Sequence, residues 1–89
     1  MEEISTNTTL GDSHGVVLVD TTLGTVTLSL PDVADFDEKR YTIKLYKGSN
    51  AVTITTTDIG GIDGNSFITL PTLYDVVSLI SCEDGWCII

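Results

Sequence analysis

Few residues in this chain have the chemistry of a reactive site. The two cysteines, Cys82 and Cys87, flank Glu83-Asp84-Gly85-Trp86. Asp84-Gly85 suits a two-residue type I′ turn, which sets Glu83 opposite Trp86 and Cys82 opposite Cys87 in a non-hydrogen-bonded pair. Such a pair brings two Cβ atoms within reach of a disulfide. A chain without a secretory leader is made in the cytosol, where thiols stay reduced, so the expectation is two small buried thiols packed as hydrophobes. With a single histidine in the chain, two cysteines are too few donors for a zinc site.

That histidine, His14, follows Asp12 and Ser13 between Gly11 and Gly15. The residue types of a nucleophilic triad are present, but chain neighbours cannot converge on one point without special backbone geometry. The segment reads as an exposed turn. Three copies of His14 on a threefold axis could hold a metal, although nothing in the spacing demands it. Gly60 to Ile68 has the glycine and aspartate content of a β-roll calcium turn without its spacing or its repetition, and reads as a tight turn. Asp32, Asp35, Asp37 and Glu38 could supply paired carboxylates for glycoside hydrolysis, but a run of acids on a loop is normally a solvated face. The expectation is no catalytic residue, no cofactor and no bound metal.

Composition excludes further classes. Thirteen acidic residues against four basic ones leave a formal net charge of −9 in 89 residues, which argues against a nucleic-acid backbone or an anionic membrane as partner. Hydrophobic residues make up 42% and charged ones 19%, which separates the chain from acidic disordered tails. The four cations lie between Lys39 and Lys47, directly after the acidic run from Asp32 to Glu38. This segregation either protects a strand edge or pairs one copy's basic strand with a neighbour's acidic loop.

The elements that must position these groups are strands. Threonine is abundant, and β-branched side chains suit a pleated surface. Residues 25–30, 41–45 and 51–55 alternate apolar with polar residues, the mark of half-buried strands. Residues 15–20 and 74–82 are apolar on both faces, which points to cover on two sides by a second sheet or another subunit. Residues 5–10, 66–70 and 85–89 are shorter candidates. Pro31 to Arg40 holds a helical turn or a surface loop. No period of 20–50 residues stands out. Turn signals at short spacing then predict an all-β fold, a small antiparallel sandwich, jelly-roll-like or barrel domain over residues 15–89, preceded by an arm or first strand over 1–14. In the last hairpin, Trp86 and Ile88 share a face with Val77 and Leu79, and Cys87 and Ile89 share the other with Val76 and Ile80. Both faces are apolar to the chain's end, so one belongs in the core and the other in a subunit interface. Val77, Leu79, Ile80, Trp86, Ile88 and Ile89 are the expected core and interface residues.

With these strands placed, the chain resembles a module common in the virion structural proteins of tailed bacteriophages. The matching residues are Val17-Leu18-Val19-Asp20 with Gly24 to Pro31, then Tyr41 to Lys44 and Ala51 to Ile54. Ile59 to Gly64, Tyr74 to Ser81 and Asp84 to Ile89 complete the order LP, IDG, DG-W. The resemblance covers roughly residues 15–89 and implies a homotrimeric β-rich module on the virion without enzymatic activity. Starting at its own Met1 and lacking a long shaft, the chain is closer to a capsid decoration or cement protein than to a complete fibre. The implied partners are sister copies and the major capsid protein on the capsid surface of the virion, after synthesis in the host cytoplasm. Ile4, Thr6, Thr8 and Leu10 are the expected capsid contacts. The alternative is a fibre or spike tip binding host-surface glycans, with Tyr46, Tyr41 or Trp86 stacking on sugars.

Overall fold

Among the described residues the alternating sequences fold into nine strands, joined by tight turns and one 3₁₀ turn at Val33–Asp35. The computed structural model describes residues 2–11, 15–35 and 38–89. In chain order the strands are β1 (Glu2–Ile4), β2 (Thr8–Thr9), β3 (Val16–Asp20), β4 (Val26–Ser29), β5 (Arg40–Lys47), β6 (Val52–Thr55), β7 (Phe67–Leu70), β8 (Val76–Ser81) and β9 (Trp86–Ile88). They form two mixed sheets, a five-stranded one ordered β1-β3-β5-β8-β9 and a four-stranded one ordered β2-β4-β6-β7. The fold is all-β, as the alternation predicts.

The predicted antiparallel arrangement is corrected. From β1 to β6 the chain alternates between the two sheets, and each strand pairs in parallel with the strand two before it in sequence. Over the second of these windings both sheets advance by the same 26 residues: Val17 pairs with Ile43, and Val26 with Val52. Only the closing strands are antiparallel, β7 on β6, β8 on β5 and β9 on β8. In the four-stranded sheet the winding sets Val26-Thr27-Leu28-Ser29 beside Val52-Thr53-Ile54-Thr55. Alternation identifies which side chains turn inward but is the same for parallel and antiparallel neighbours, so it could not choose between them. Of the predicted strand over 5–10 only Thr8–Thr9 pairs, as β2 of the four-stranded sheet, while β1 lies before it in the other sheet.

Inward-facing residues of both sheets meet in one cluster. Val17, Val19, Tyr41, Ile43, Leu45, Val77 and Leu79 come from the five-stranded sheet, and Val26, Leu28, Val52 and Ile54 from the other. Ile4 and Leu10 join them from the N-terminal segment. The largest buried side chain is Trp86, whose ring lies 5.4 Å from that of Tyr41. Its Nε1–H donates to Asp58 Oδ2 at 3.2 Å. The same carboxylate accepts from the Thr56 hydroxyl at 3.0 Å and from the Val33 amide. Asp58 thereby ties the 3₁₀ turn, the end of β6 and the start of β9 to one charge, which charge-assisted bonds favour.

The last hairpin also differs from its predicted register. Ser81 pairs with Trp86, Ile80 with Cys87 and Leu79 with Ile88, so Glu83 does not oppose Trp86 and the connection is a four-residue loop, 82–85. The loop closes through the Cys82 amide donating to the Gly85 carbonyl at 2.7 Å. It docks on the preceding glycine turn: the Gly60 amide donates to Asp84 O at 2.8 Å and the Trp86 amide to Gly61 O at 2.7 Å. A Cβ on Gly85 would lie 2.5 Å from Gly61 O, so only glycine permits this approach. Because the register shifts by two residues, the side-chain faces stay as predicted, with Trp86 on the side of Val77 and Leu79.

The expectation of free thiols is corrected too. Cys82 and Cys87 are joined in a disulfide with Cα atoms 6.2 Å apart. The wider loop still carries Cys82 past the end of β8 and across to Cys87, leaving a short span that the cystine closes.

Candidate functional site

Each sheet keeps one face on the core and turns the other outward, and the outer face of the five-stranded sheet is the candidate interaction site. Its residues follow from the register. Glu3, Leu18, Lys44 and Val76 form one row across β1, β3, β5 and β8. Val16, Thr42 and Ser78 form the next, with the Thr42 and Ser78 hydroxyls 3.1 Å apart. Arg40, Ile80 and Cys87 form a third across β5, β8 and β9. Ile89 extends the second row, its amide donating to Ser78 O at 2.9 Å.

This face is apolar and cationic at once. Val16 is 46% exposed, Val76 56% and Ile89 61%, whereas most outward positions of a water-facing sheet would be polar. All four cations of the chain lie on β5 or at its start. Lys44 stands over the exposed Tyr74 ring, its Nζ 5.5 Å from the centroid, an arrangement that favours a cation over the ring's negative face. The predicted basic strand edge is corrected here: β5 is the middle strand of its sheet, between β3 and β8.

Carboxylates on the face are already engaged. Asp20 accepts from the Thr22 hydroxyl and from the Thr22 amide, the latter at 2.9 Å. These bonds, the hydroxyl's first, hold its carboxyl below the ordinary value near 3.8 against the opposing effect of desolvation. Tyr46 is pushed above its ordinary value, first by desolvation and then by its hydrogen bond to Glu3.

The other predicted site residues divide by location. Val77, Leu79 and Trp86 are buried in the core, Ile80 is half-buried, and Ile88 and Ile89 are exposed. Ile4 and Leu10 are buried, Thr6 is exposed and Thr8 half-buried. Of the aromatic residues proposed to stack on sugars, Tyr41 and Trp86 are corrected to core residues, since less than 2% of either is exposed. Tyr41 also spends its hydroxyl on Gly11 O at 3.0 Å. Asp12, Ser13, His14 and Asp37 lie outside the described residues. Asp32 accepts from the Ala34 amide at 3.0 Å at the start of the 3₁₀ turn, and Glu38 is exposed with a φ of 56°. The glycine segment after Ile59 is a tight turn, with Ile62 and Asn65 bridged. Among the described residues no three histidine, cysteine or carboxylate side chains cluster as metal ligands. Sequence reasoning missed Tyr74 and Val16 as exposed residues. Val16 was legible as an outward position of a strand apolar on both faces, whereas the Lys44–Tyr74 contact depends on the loop before β8 folding back onto β5, where the Tyr74 amide donates to Leu45 O.

Compared with protein-family models, with curated proteins and with solved structures, the chain matches none.

Proposed function

We propose that this chain is a non-enzymatic structural protein of a tailed-phage virion, a homotrimer of small β-sandwich subunits that binds the capsid surface as a decoration or cement protein. The observation that carries the reading is the exposure of three apolar residues, Val16, Val76 and Ile89, on the outer face of the five-stranded sheet. Exposed apolar patches of this kind mark interaction surfaces. The ordered resemblance of residues 15–89 to virion modules supplies the biological setting. Thr6 and Thr8 offer the N-terminal contact to the major capsid protein, while Ile4 and Leu10 anchor that segment to the core. A cement protein binds the assembled shell better than its free subunits and stabilises it by linkage, and threefold symmetry lets three weak contacts act together. The disulfide fits a protein that works outside the reducing cytoplasm once particles are released.

The test is to mix the purified protein with expanded capsids lacking decoration, taken from the phage whose genome encodes the chain. Stoichiometric attachment at the shell's symmetry axes is the expected result. Failure to attach, together with binding to host cells, would overturn it in favour of a glycan-binding fibre tip.

A further inference from the structure

We infer that the outer face of the five-stranded sheet is covered by a second copy of this chain, in a head-to-tail contact where Arg40 and Lys44 receive carboxylates from the neighbour's loop 82–85. The inference rests on the proposed trimer and names the surface that builds it.

Charge selects the occupant. Among the described residues Arg40 and Lys44 have no ion-pair partner, although the chain carries thirteen acids. The face's own carboxylates already accept hydrogen bonds, Asp20 from Thr22 and Glu3 from Tyr46. Exposed carboxylates without a hydrogen-bond or ion-pair partner among the described residues stand off the face instead: Glu2 on β1, Glu38 in the turn before β5, and Glu83 and Asp84 in the loop before β9. A copy of this chain thus carries, in the loop before β9, the negative groups that Arg40 and Lys44 lack.

Charge also selects the geometry. A twofold, face-to-face contact would gather Arg40 and Lys44 of both copies in one desolvated layer whose carboxylates, Asp20 and Glu3, already accept hydrogen bonds, and like charges brought together out of water are costly. A head-to-tail contact places each cationic row against the next copy's Glu83 and Asp84. It uses two different surfaces per copy, so it repeats around a ring and closes at three if the rotation allows.

Sedimentation equilibrium tests this on three forms of the full-length protein: wild type, Lys44→Glu, and the double variant Glu83→Lys/Asp84→Lys. Folding of each is checked by far-ultraviolet circular dichroism. The expected masses are three chains for wild type and one for both variants, each variant keeping the wild-type spectrum. The two variants change exposed side chains on opposite sides of the contact, so loss of fold in one leaves the other to decide. A wild-type trimer that both variants retain overturns this contact while leaving the trimer standing. A wild-type dimer, or dissociation by Lys44→Glu but not by the double variant, overturns the head-to-tail geometry. A wild-type monomer overturns the contact and the proposed trimer together.

Discussion

The outer faces of the two sheets are built from the same alternation and could hardly differ more. On the four-stranded sheet, Thr27, Thr53 and Thr69 stand in one cross-strand row, and Thr9, Ser29 and Thr55 in the next. That face is an array of hydroxyls with no charge in either row and one exposed aromatic, Phe67, beside Thr55. On the five-stranded sheet the corresponding rows set Val16, Leu18, Val76, Ile80, Arg40 and Lys44 among Glu3, Thr42, Ser78 and Cys87. Threonine satisfies a sheet and water together, its methyl packing on the pleat and its hydroxyl facing solvent. A surface of exposed valines and cations without carboxylate partners satisfies neither. The first face is complete in water, whereas the second is the one we propose a neighbour completes.

Both faces rest on one core, so the largest effect should erase the contrast altogether. Trp86→Ala removes the largest buried side chain and strips Asp58 of its indole donor. It should cost about 3–5 kcal/mol, read as a lower urea midpoint, with subunit mass falling as the fold is lost.

Reduction of the Cys82–Cys87 bridge is next, and it should separate the two sheets. A loop this short contributes roughly 2 kcal/mol on the chain-entropy account, or a melting temperature lower by about 10 °C in a domain of this size. Amide exchange should quicken in β8 and β9 while β4 and β6 keep their protection. Equal quickening in both sheets would show that they do not open independently.

Substitutions on the hydroxyl face should do little. Thr53→Ser and Thr55→Ser should change stability by about 0.5 kcal/mol or less and leave the solution mass unchanged; loss of association in either would move the interface to the wrong sheet.

The smallest effect is in acid. The Asp20–Thr22 turn borders the cationic face, and the depressed carboxyl contributes stability that is whole above pH 3.8 and fades as pH falls through the lower folded value. Carboxyl carbon shifts followed from pH 5 downward should place the Asp20 midpoint below 3.8. A midpoint above it would mean that Thr22 does not hold the carboxylate.

Much of this contrast was legible in the chain itself. Period-two alternation put Val26, Leu28, Val52 and Ile54 inside and their threonine neighbours outside, and the doubly apolar runs 15–20 and 74–82 became β3 and β8, the strands that carry the exposed valines. What was not legible depends on pairing between distant segments. Nothing local to Val17 states that Ile43 lies beside it in parallel, and only comparison of the chain with itself at an offset of 26 would have suggested it. The type I′ reading of Asp84-Gly85 failed for a similar reason. Gly85 is spent on contact with Gly61 from another turn, and that contact widens the loop.

The central claim is that the valine face of the five-stranded sheet is dry in solution. Methyl NMR with a soluble paramagnetic agent tests it directly, because Leu23, 90% exposed, supplies an internal standard for a wet methyl. Val16 and Val76 methyls of the wild-type protein should relax far more slowly than those of Leu23, and Lys44→Glu should bring them close to it. Val16 and Val76 methyls as strongly relaxed as Leu23 in the wild-type protein would contradict it.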